Sequence, residues 1–202
     1  MRRLLAVSLA AAAAAVLAAS ARADGDPASD YLLSQQVFFP FSVRYPLNRQ
    51  QELAGLVKQA NDHGYTIRVA LINDTSDLGV VTSLWRQPQT YAHFLGQELM
   101  FLYRKRLLVV MPNGLGFNYP GHPTAKEEAL LKRVPPAQGN DLITTAEAAV
   151  QKLAAANGVT VTPQPVSSGG SGHGTLIVIA VAVAAILAAA AAVVLLRRRR
   201  HS

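Results

Sequence analysis

Residues 175–196 form an apolar run, TLIVIAVAVAAILAAAAAVVLL, without a charged side chain. A helix rises about 1.5 Å per residue, so these 22 residues span about 33 Å, close to the roughly 30 Å core of a bilayer. We therefore predict a transmembrane helix at 175–196. A basic cluster follows directly, and such clusters are retained in the cytoplasm. It consists of Arg197, Arg198, Arg199 and Arg200. The chain is thus expected to end in a cytoplasmic basic tail at residues 197–202.

The first residues have the pattern of a secretion signal. Arg2 and Arg3 precede an apolar stretch that ends in ARA, and small residues spaced in this way fit the site cut by a signal peptidase. We predict a signal peptide at 1–23, cleaved after Ala23. An uncleaved anchor helix is the alternative, and it gives the same topology. The segment between the two apolar ends is then extracytoplasmic, in a single-pass protein of the cell membrane.

The positive charge of the chain belongs to its two ends. The seven arginines of residues 1–23 and 197–200 account for the whole net charge of +7. Residues 24–174 carry 12 Lys+Arg and 12 Asp+Glu, which balance. This balance argues against a nucleic-acid partner, which requires a basic surface. The chain has no cysteine, so no disulfide supports the outer part, which must rely on its own core.

The outer part divides near residue 159. Residues 159–174, VTVTPQPVSSGGSGHG, are rich in Pro, Ser and Gly without periodicity, which is typical of a linker. Strand and helix patterns alternate along residues 24–158, and such alternation favours an α/β domain. We expect a single extracytoplasmic domain of the α/β/α sandwich type, with a β-hairpin near residues 106–119.

The best-defined helix of this domain covers residues 47–64, with Asn48 as its cap and Gly64 as its stop. Its apolar residues recur at spacings of three and four: Leu53, Leu56, Val57 and Ala60. A first extended segment is expected before this helix, limited by Pro40 and Pro46. Further strands are expected at 65–72 and 107–111, and further helices at 89–104, 125–131 and 141–157. The basic residues 104–106 would then end a helix and interact with its dipole. A contact with lipid headgroups is the alternative.

The stretch MPNGLGFNYPGHP at 111–123 has two interpretations. Its glycines suggest a phosphate-binding loop, but no lysine follows within the motif, and Pro120 and Pro123 lack N–H donors. The pair Asn113-Gly114 is favoured in two-residue hairpin turns, where both positions need a positive φ. We therefore predict a hairpin whose glycines serve geometry.

Asp74 and Asp77 are the strongest candidates for a binding site. They lie in the loop NDTSDLG after a predicted strand, where ligands bind in open α/β sheets. Two carboxylates at this spacing could share a divalent cation such as Ca²⁺ or Mg²⁺. The favoured alternative is structural, with Asp77 capping a helix that begins at Val80 and Asp74 bending the loop. His122, in the Pro/Gly-rich segment, is the one histidine we would test for catalysis.

The order of these elements resembles that of TPM domain proteins over about residues 47–122. The resemblance rests on the strand YTIRVALI, the acidic loop, the strand RLLVVMP with its hairpin, and the C-terminal span. TPM domains are membrane-tethered and extracytoplasmic, and some members are reported as acid phosphatases or cation binders. The resemblance implies that Asp74 and Asp77 would carry the cation-binding role.

Three functions are compatible with the sequence. The first is a non-catalytic module, anchored by one span, that binds a protein partner in the envelope or membrane. The second is a metal-assisted phosphatase or other hydrolase of the TPM type, which would use Asp74 and Asp77. The third is a structural spacer. We favour the first, because the topology is strongly indicated and no established catalytic motif is present in the sequence.

Overall fold

The computed structural model describes residues 25–137 and 141–164. In this part of the chain four strands form one sheet: β1 Val37–Phe38, β2 Ile67–Leu71, β3 Arg106–Met111 and β4 Gly114–Asn118. The strands follow one another in the order of the sequence. The first three are parallel, and β4 is antiparallel to β3, so the sheet is mixed. The predicted α/β fold is confirmed.

Helices cover both faces of this sheet. They are α1 Pro27–Leu32, α2 Leu47–Asp62, α3 Pro88–Glu98, α4 Ala125–Leu131 and α5 Leu142–Ala155, with 3-10 turns at Thr75–Leu78 and Thr82–Leu84. Successive strand residues point to opposite faces. Val69 and Val110 accordingly belong to the hydrophobic cluster that packs under α2 and α5. Ala70 and Val109 belong to the cluster under α1 and α3. The layers are therefore helix, sheet and helix.

The buried face of α2 is the one that the sequence predicts. Its buried residues are Leu53, Leu56, Val57 and Ala60. Gly64 follows the helix with a φ of +89°, a conformation that favours glycine. The predicted cap is wrong, because the helix begins at Leu47, one residue earlier. Pro46 is its N-cap and gives no side-chain hydrogen bond.

The helix predicted at 89–104 is shorter than expected. α3 begins with Pro88, which is tolerated in the first turn because its missing N–H has no partner there, and it ends at Glu98. Tyr103 then turns inward, and its hydroxyl donates a hydrogen bond to the Arg106 carbonyl at 2.8 Å. The basic residues 104–106 therefore lie in a connection and at the start of β3, so the helix-dipole interpretation is wrong.

The hairpin is confirmed, but its turn lies one residue earlier than predicted. Met111 pairs with Gly114, which leaves Pro112 and Asn113 as the two-residue loop. Proline, with its φ fixed near −65°, fits the first position of this loop. Asn113 does not have the positive φ that the turn expected at Asn113-Gly114 needs.

Two glycines allow α3 to approach β4 closely. A Cβ on Gly116 would lie 1.9 Å from the carbonyl oxygen of Pro88, and one on Gly96 would lie 1.7 Å from the Asn118 Nδ2. No side chain larger than hydrogen fits at either position without movement of the helix or of Asn118. The glycine at the centre of the segment 111–123 thus serves helix–sheet packing.

The folded domain continues past the predicted boundary at residue 158. Val161 is only 4% exposed and packs in the core beside α2. The backbone N–H of Thr162 donates a hydrogen bond to Gln59 Oε1 at 2.9 Å. The first four residues of the expected linker therefore belong to the domain.

The predicted membrane segments lie outside the described residues. These are the signal peptide at 1–23, the span at 175–196 and the tail at 197–202 with its four arginines. Across residues 25–137 and 141–164, the helices include none long and apolar enough to cross a bilayer.

Candidate functional site

Asp77 is fully buried and joins two loops at the carboxyl edge of the parallel strands. Its Oδ1 accepts hydrogen bonds from the backbone N–H groups of Phe41 at 2.8 Å and Ser42 at 3.1 Å. Its Oδ2 accepts from the Ser42 hydroxyl at 2.8 Å. The same oxygen accepts from the N–H groups of Asn73 and Asp74, both at 2.9 Å. Five donors thus surround one carboxylate and fix the loop that follows β1.

Asp74 acts as the cap that the sequence assigns to Asp77. Its Oδ1 accepts from the Ser76 N–H at 3.0 Å, at the start of the 3-10 turn Thr75–Leu78. Together with the bond from the Asp74 N–H to Asp77, this forms a capping box. The Ser76 N–H, and then the Thr75 hydroxyl, lower the pKa of the exposed Asp74 carboxyl. The predicted helix cap at Val80 is wrong, because the turn begins at Thr75.

This arrangement favours the structural interpretation of the acidic loop over the metal interpretation. N–H and hydroxyl donors occupy both oxygens of Asp77, and their positive ends face the position that a cation would need. Within the described ranges no group of three His, Asp or Glu side chains could hold a metal ion. Cation binding by Asp74 and Asp77 stays a prediction, and it would require the loop to rearrange.

β4 runs antiparallel to β3 and ends beside the start of β3. His122 therefore lies near the amino ends of the parallel strands, whereas the acidic loop lies at their carboxyl ends. Its ring stacks on Tyr119, with centroids 3.7 Å apart. Its Nδ1 lies 3.0 Å from the carbonyl oxygen of Pro120, which can only accept, so Nδ1 carries the proton. The Arg106 guanidinium lies 4.7 Å from the Tyr119 ring. The structure therefore does not bring His122 together with Asp74 or Asp77.

A second histidine belongs to a network between α3 and the edge strand β4. Gln89 pairs with the backbone of Phe117: its Oε1 accepts from the N–H at 3.0 Å, and its Nε2 donates to the carbonyl at 2.8 Å. Gln89 Nε2 is then also the donor toward His93 Nε2, 3.0 Å away. This fixes the proton of His93 on Nδ1, which lies 3.2 Å from Asn118 Oδ1. The histidine holds the helix against the strand.

A groove with aromatic walls opens beside the loop that Asp77 holds. We call it the aromatic groove; its volume is about 370 Å³, and it is lined by Tyr31, Phe39, Pro40, Phe41, Val43, Arg44, Tyr45 and Gln50. Phe41 is 66% exposed and Tyr31 is 45% exposed. Both rings make edge-to-face contacts with the buried Phe38, at centroid distances of 5.3 and 5.8 Å.

Sequence reasoning missed this groove. The apolar residues of QVFFPFSVRYP predict a strand, and Pro40 and Pro46 limit its length, but β1 ends at Phe38. The sequence does contain one indication of the groove. Pro40 lacks the N–H that would pair with a neighbouring strand, so a buried strand cannot continue through it, and the aromatic residue that follows is free to lie outside the sheet. What turns Phe41 outward is its bond to Asp77, 36 residues away, and local sequence does not reveal it.

The first helix of the described part, α1, is attached by a buried acid. Asp26 is 4% exposed, and its Oδ1 accepts a hydrogen bond from the Tyr91 hydroxyl at 2.6 Å. Its Oδ2 is buried without a hydrogen-bond partner. Burial raises the pKa of the Asp26 carboxyl to about 6, although the Tyr91 bond acts in the opposite direction. The sequence gives no sign of this pair, because its members are 65 residues apart.

Comparison with family models, with curated proteins and with solved structures finds no match. The resemblance to TPM domains, and the phosphatase activity that it implies, therefore stay predictions.

Proposed function

We propose that this chain is an extracytoplasmic α/β module, anchored in the cell membrane by one span at 175–196, that binds a protein partner in the envelope. In this proposal the module is not a catalyst. The observation that carries it is the aromatic groove, where Phe41 is 66% exposed on an ordered loop. Exposed aromatic side chains are typical anchors of protein–protein interfaces.

The groove is preorganised for binding. The five hydrogen bonds to Asp77 hold the loop before a partner arrives, so little conformational entropy is lost on association. The side chain of Gln50 adds a second restraint, since its Nε2 donates to the carbonyl of Tyr45 at 2.8 Å. Arg44 is exposed at the rim and offers a cationic contact. An apolar centre with a polar rim is the usual composition of such an interface.

Site-specific crosslinking in the producing cells tests the proposal. A photoreactive amino acid replaces Tyr31 in the groove or, as a control, Lys126, which is exposed on α4. We expect an adduct of discrete mass at position 31 and none at position 126. Phe41→Ser should abolish the adduct. Val80→Ser should preserve it, because Val80 is also 66% exposed and apolar but does not line the groove. Adducts at neither position, or equally at both, would contradict partner binding through the groove.

A further inference from the structure

Three consecutive apolar side chains are exposed between α3 and β3. Met100 is 39% exposed, Phe101 86% and Leu102 75%. Phe101 and Leu102 are the most exposed of the large hydrophobic residues in the described part of the chain. We call these three residues the apolar triad. Isolated exposed apolar residues are ordinary, but a contiguous exposed group is typical of a surface that binds a protein or a membrane.

Basic side chains adjoin the apolar triad. Arg104 and Lys105 are both exposed, and Arg104 Nε donates to the carbonyl of Met100 at 2.8 Å, which holds its charge beside the triad. Arg68 and Arg106 are half-buried at the same edge of the sheet, over the rings of Tyr103 and Tyr65 at 4.1 and 4.4 Å.

The acidic side chains at this end are fewer. Glu98 is exposed at the end of α3, and Glu127 lies near enough to influence Tyr65 electrostatically. Asp62 is paired with Lys58. Four cationic residues therefore face two unpaired acids, and the surface around the apolar triad is cationic.

The chain leaves the domain at the same end. The triad precedes Arg106, which begins β3, so it lies at the amino edge of the parallel strands. Thr162 donates a hydrogen bond to Gln59, in the last turn of α2. That turn lies at the start of β2, because the side chain of Asn61 accepts a hydrogen bond from the N–H of Ile67, the first residue of β2. The exit of the chain and the apolar triad therefore flank one edge of the sheet, on opposite faces.

The remaining chain is short enough to bring this edge to a bilayer. Ten residues, 165–174, separate the last described residue from the predicted span at 175–196. From its Gly/Ser-rich composition, a sequence of this length is expected to have a root-mean-square extension of about 17 Å. Packed layers are about 10 Å apart, so the edge that contains the exit and the triad can lie against the membrane without strain in the tether.

We infer that the amino edge of the sheet docks on an anionic lipid surface. The apolar triad enters the interface between headgroups and acyl chains, and Arg104 and Lys105 contact headgroup phosphates. Apolar side chains beside basic ones are the composition by which interfacial segments bind anionic lipids. This inference rests on the membrane anchoring in the proposed function, and it adds a second, surface contact that orients the domain. The aromatic groove, at the carboxyl edge, then faces away from the membrane.

Depth measurements on the full chain in vesicles test this orientation. Because the chain has no cysteine, single Phe101→Cys and Phe41→Cys variants can each carry one environment-sensitive fluorophore. Both positions are exposed, at opposite edges of the domain. Each labelled chain is reconstituted into phosphatidylcholine vesicles with or without phosphatidylglycerol, and with spin-labelled lipids as quenchers. Flotation after alkaline extraction reports separately whether the chain is anchored.

We expect quenching of the probe at 101 that is at least threefold stronger than at 41, and greater in the anionic vesicles. Arg104→Gln with Lys105→Gln should remove the dependence on phosphatidylglycerol. The matched pair Lys132→Gln with Arg133→Gln should not, because both residues are exposed and Lys132 lies beside the hairpin turn at the carboxyl edge. Equal quenching at 101 and 41 in anchored chains would overturn the inference and leave the anchoring intact. A change at 101 that appears without vesicles and grows with protein concentration would also overturn it, since a second copy would then cover the triad. Chains that fail to float would instead contradict the anchoring.

Discussion

Asp77 and Phe41 are joined by a 2.8 Å hydrogen bond from the backbone N–H of Phe41 to the carboxylate, across 36 residues of chain. Through it, a loop after β2 determines the conformation of the loop after β1. The exposure of Phe41 is therefore a property of Asp77 as much as of its own neighbours.

Asp77→Ala should destabilise the domain strongly. It leaves the N–H groups of Phe41, Asn73 and Asp74 without their acceptor, and we expect a loss of about 3 kcal/mol in the free energy of unfolding. Asp74→Ala removes one exposed cap and should cost about 1 kcal/mol. Urea unfolding of the full chain in detergent, followed by circular dichroism, gives both values. Equal losses in the two variants would show that Asp77 is not the central acceptor.

Divalent cations should not stabilise the domain, because hydrogen-bond donors already surround Asp77. A thermal melt of the full chain should give the same Tm with and without millimolar Ca²⁺, Mg²⁺ or Mn²⁺. A ligand present at a hundred times its Kd would raise stability by about 2.7 kcal/mol. A rise in Tm that disappears in Asp74→Ala would establish the metal site that the TPM resemblance implies.

Replacement by alanine should lower the free energy of unfolding at the two closely packed glycines but not at an ordinary helical glycine. In Gly116→Ala the new methyl meets the Pro88 carbonyl, and we expect a cost of about 3 kcal/mol. Gly96→Ala displaces Asn118 and should cost about 1–2 kcal/mol. Gly55→Ala, in α2 with open space around it, should stabilise by about 0.5–1 kcal/mol. Chemical unfolding of the three variants ranks them, and a neutral Gly116→Ala would contradict the close approach of α3 to β4.

Stability should fall as the pH rises from 4 to 6, through Asp26. Its pKa is about 6 in the folded domain and 3.8 in the unfolded chain, so the folded state binds the proton more tightly. The stabilisation from the protonated acid is complete below pH 4 and is lost as the pH passes 6. The slope is at most about 1.4 kcal/mol per pH unit.

Asp26→Asn should remove this dependence, because the amide does not ionise. The unfolding free energy of the native chain minus that of Asp26→Asn should therefore decrease between pH 4 and 6 and stay level above it. Asp30→Asn, in the same helix, is the matched control and should leave the profile unchanged. A parallel pair of profiles for the native chain and Asp26→Asn would contradict the raised pKa.

Sequence periodicity predicted the elements that are half-buried and regular. The spacing in α2 identified its four buried residues, because one helical face there packs on the sheet and the other meets water. The helix Ala125–Leu131 was predicted with the bounds that the structure has. In contrast, the apolar residues Met100 to Leu102 were included in the helix predicted at 89–104. They lie beyond the end of α3 and are exposed. The periodicity of the sequence cannot distinguish a buried apolar residue from a solvent-exposed one.

The candidate site depends on contacts between residues distant in the sequence, and it could be predicted only in part. Asp74 and Asp77 were singled out as candidate cation ligands or as cap and loop residues, but the donors from Phe41 and Ser42 come from another loop. The position of the hairpin turn was predicted wrongly for a local reason. The Asn-Gly pattern was given more weight than the preference of Pro112 for the first turn position. Both errors arise where one short-range rule is overridden by another constraint.

The pairing of Gln89 with Phe117 also bears on how copies of the domain meet one another. β4 is an edge strand, and its free N–H and carbonyl groups would otherwise serve as a template for a strand from a neighbouring molecule. The amide of Gln89 occupies both groups of Phe117 and mimics the next strand. At the other edge, β1 is only two residues long. Both edges of the sheet therefore offer a second copy of this domain only a short template for strand pairing.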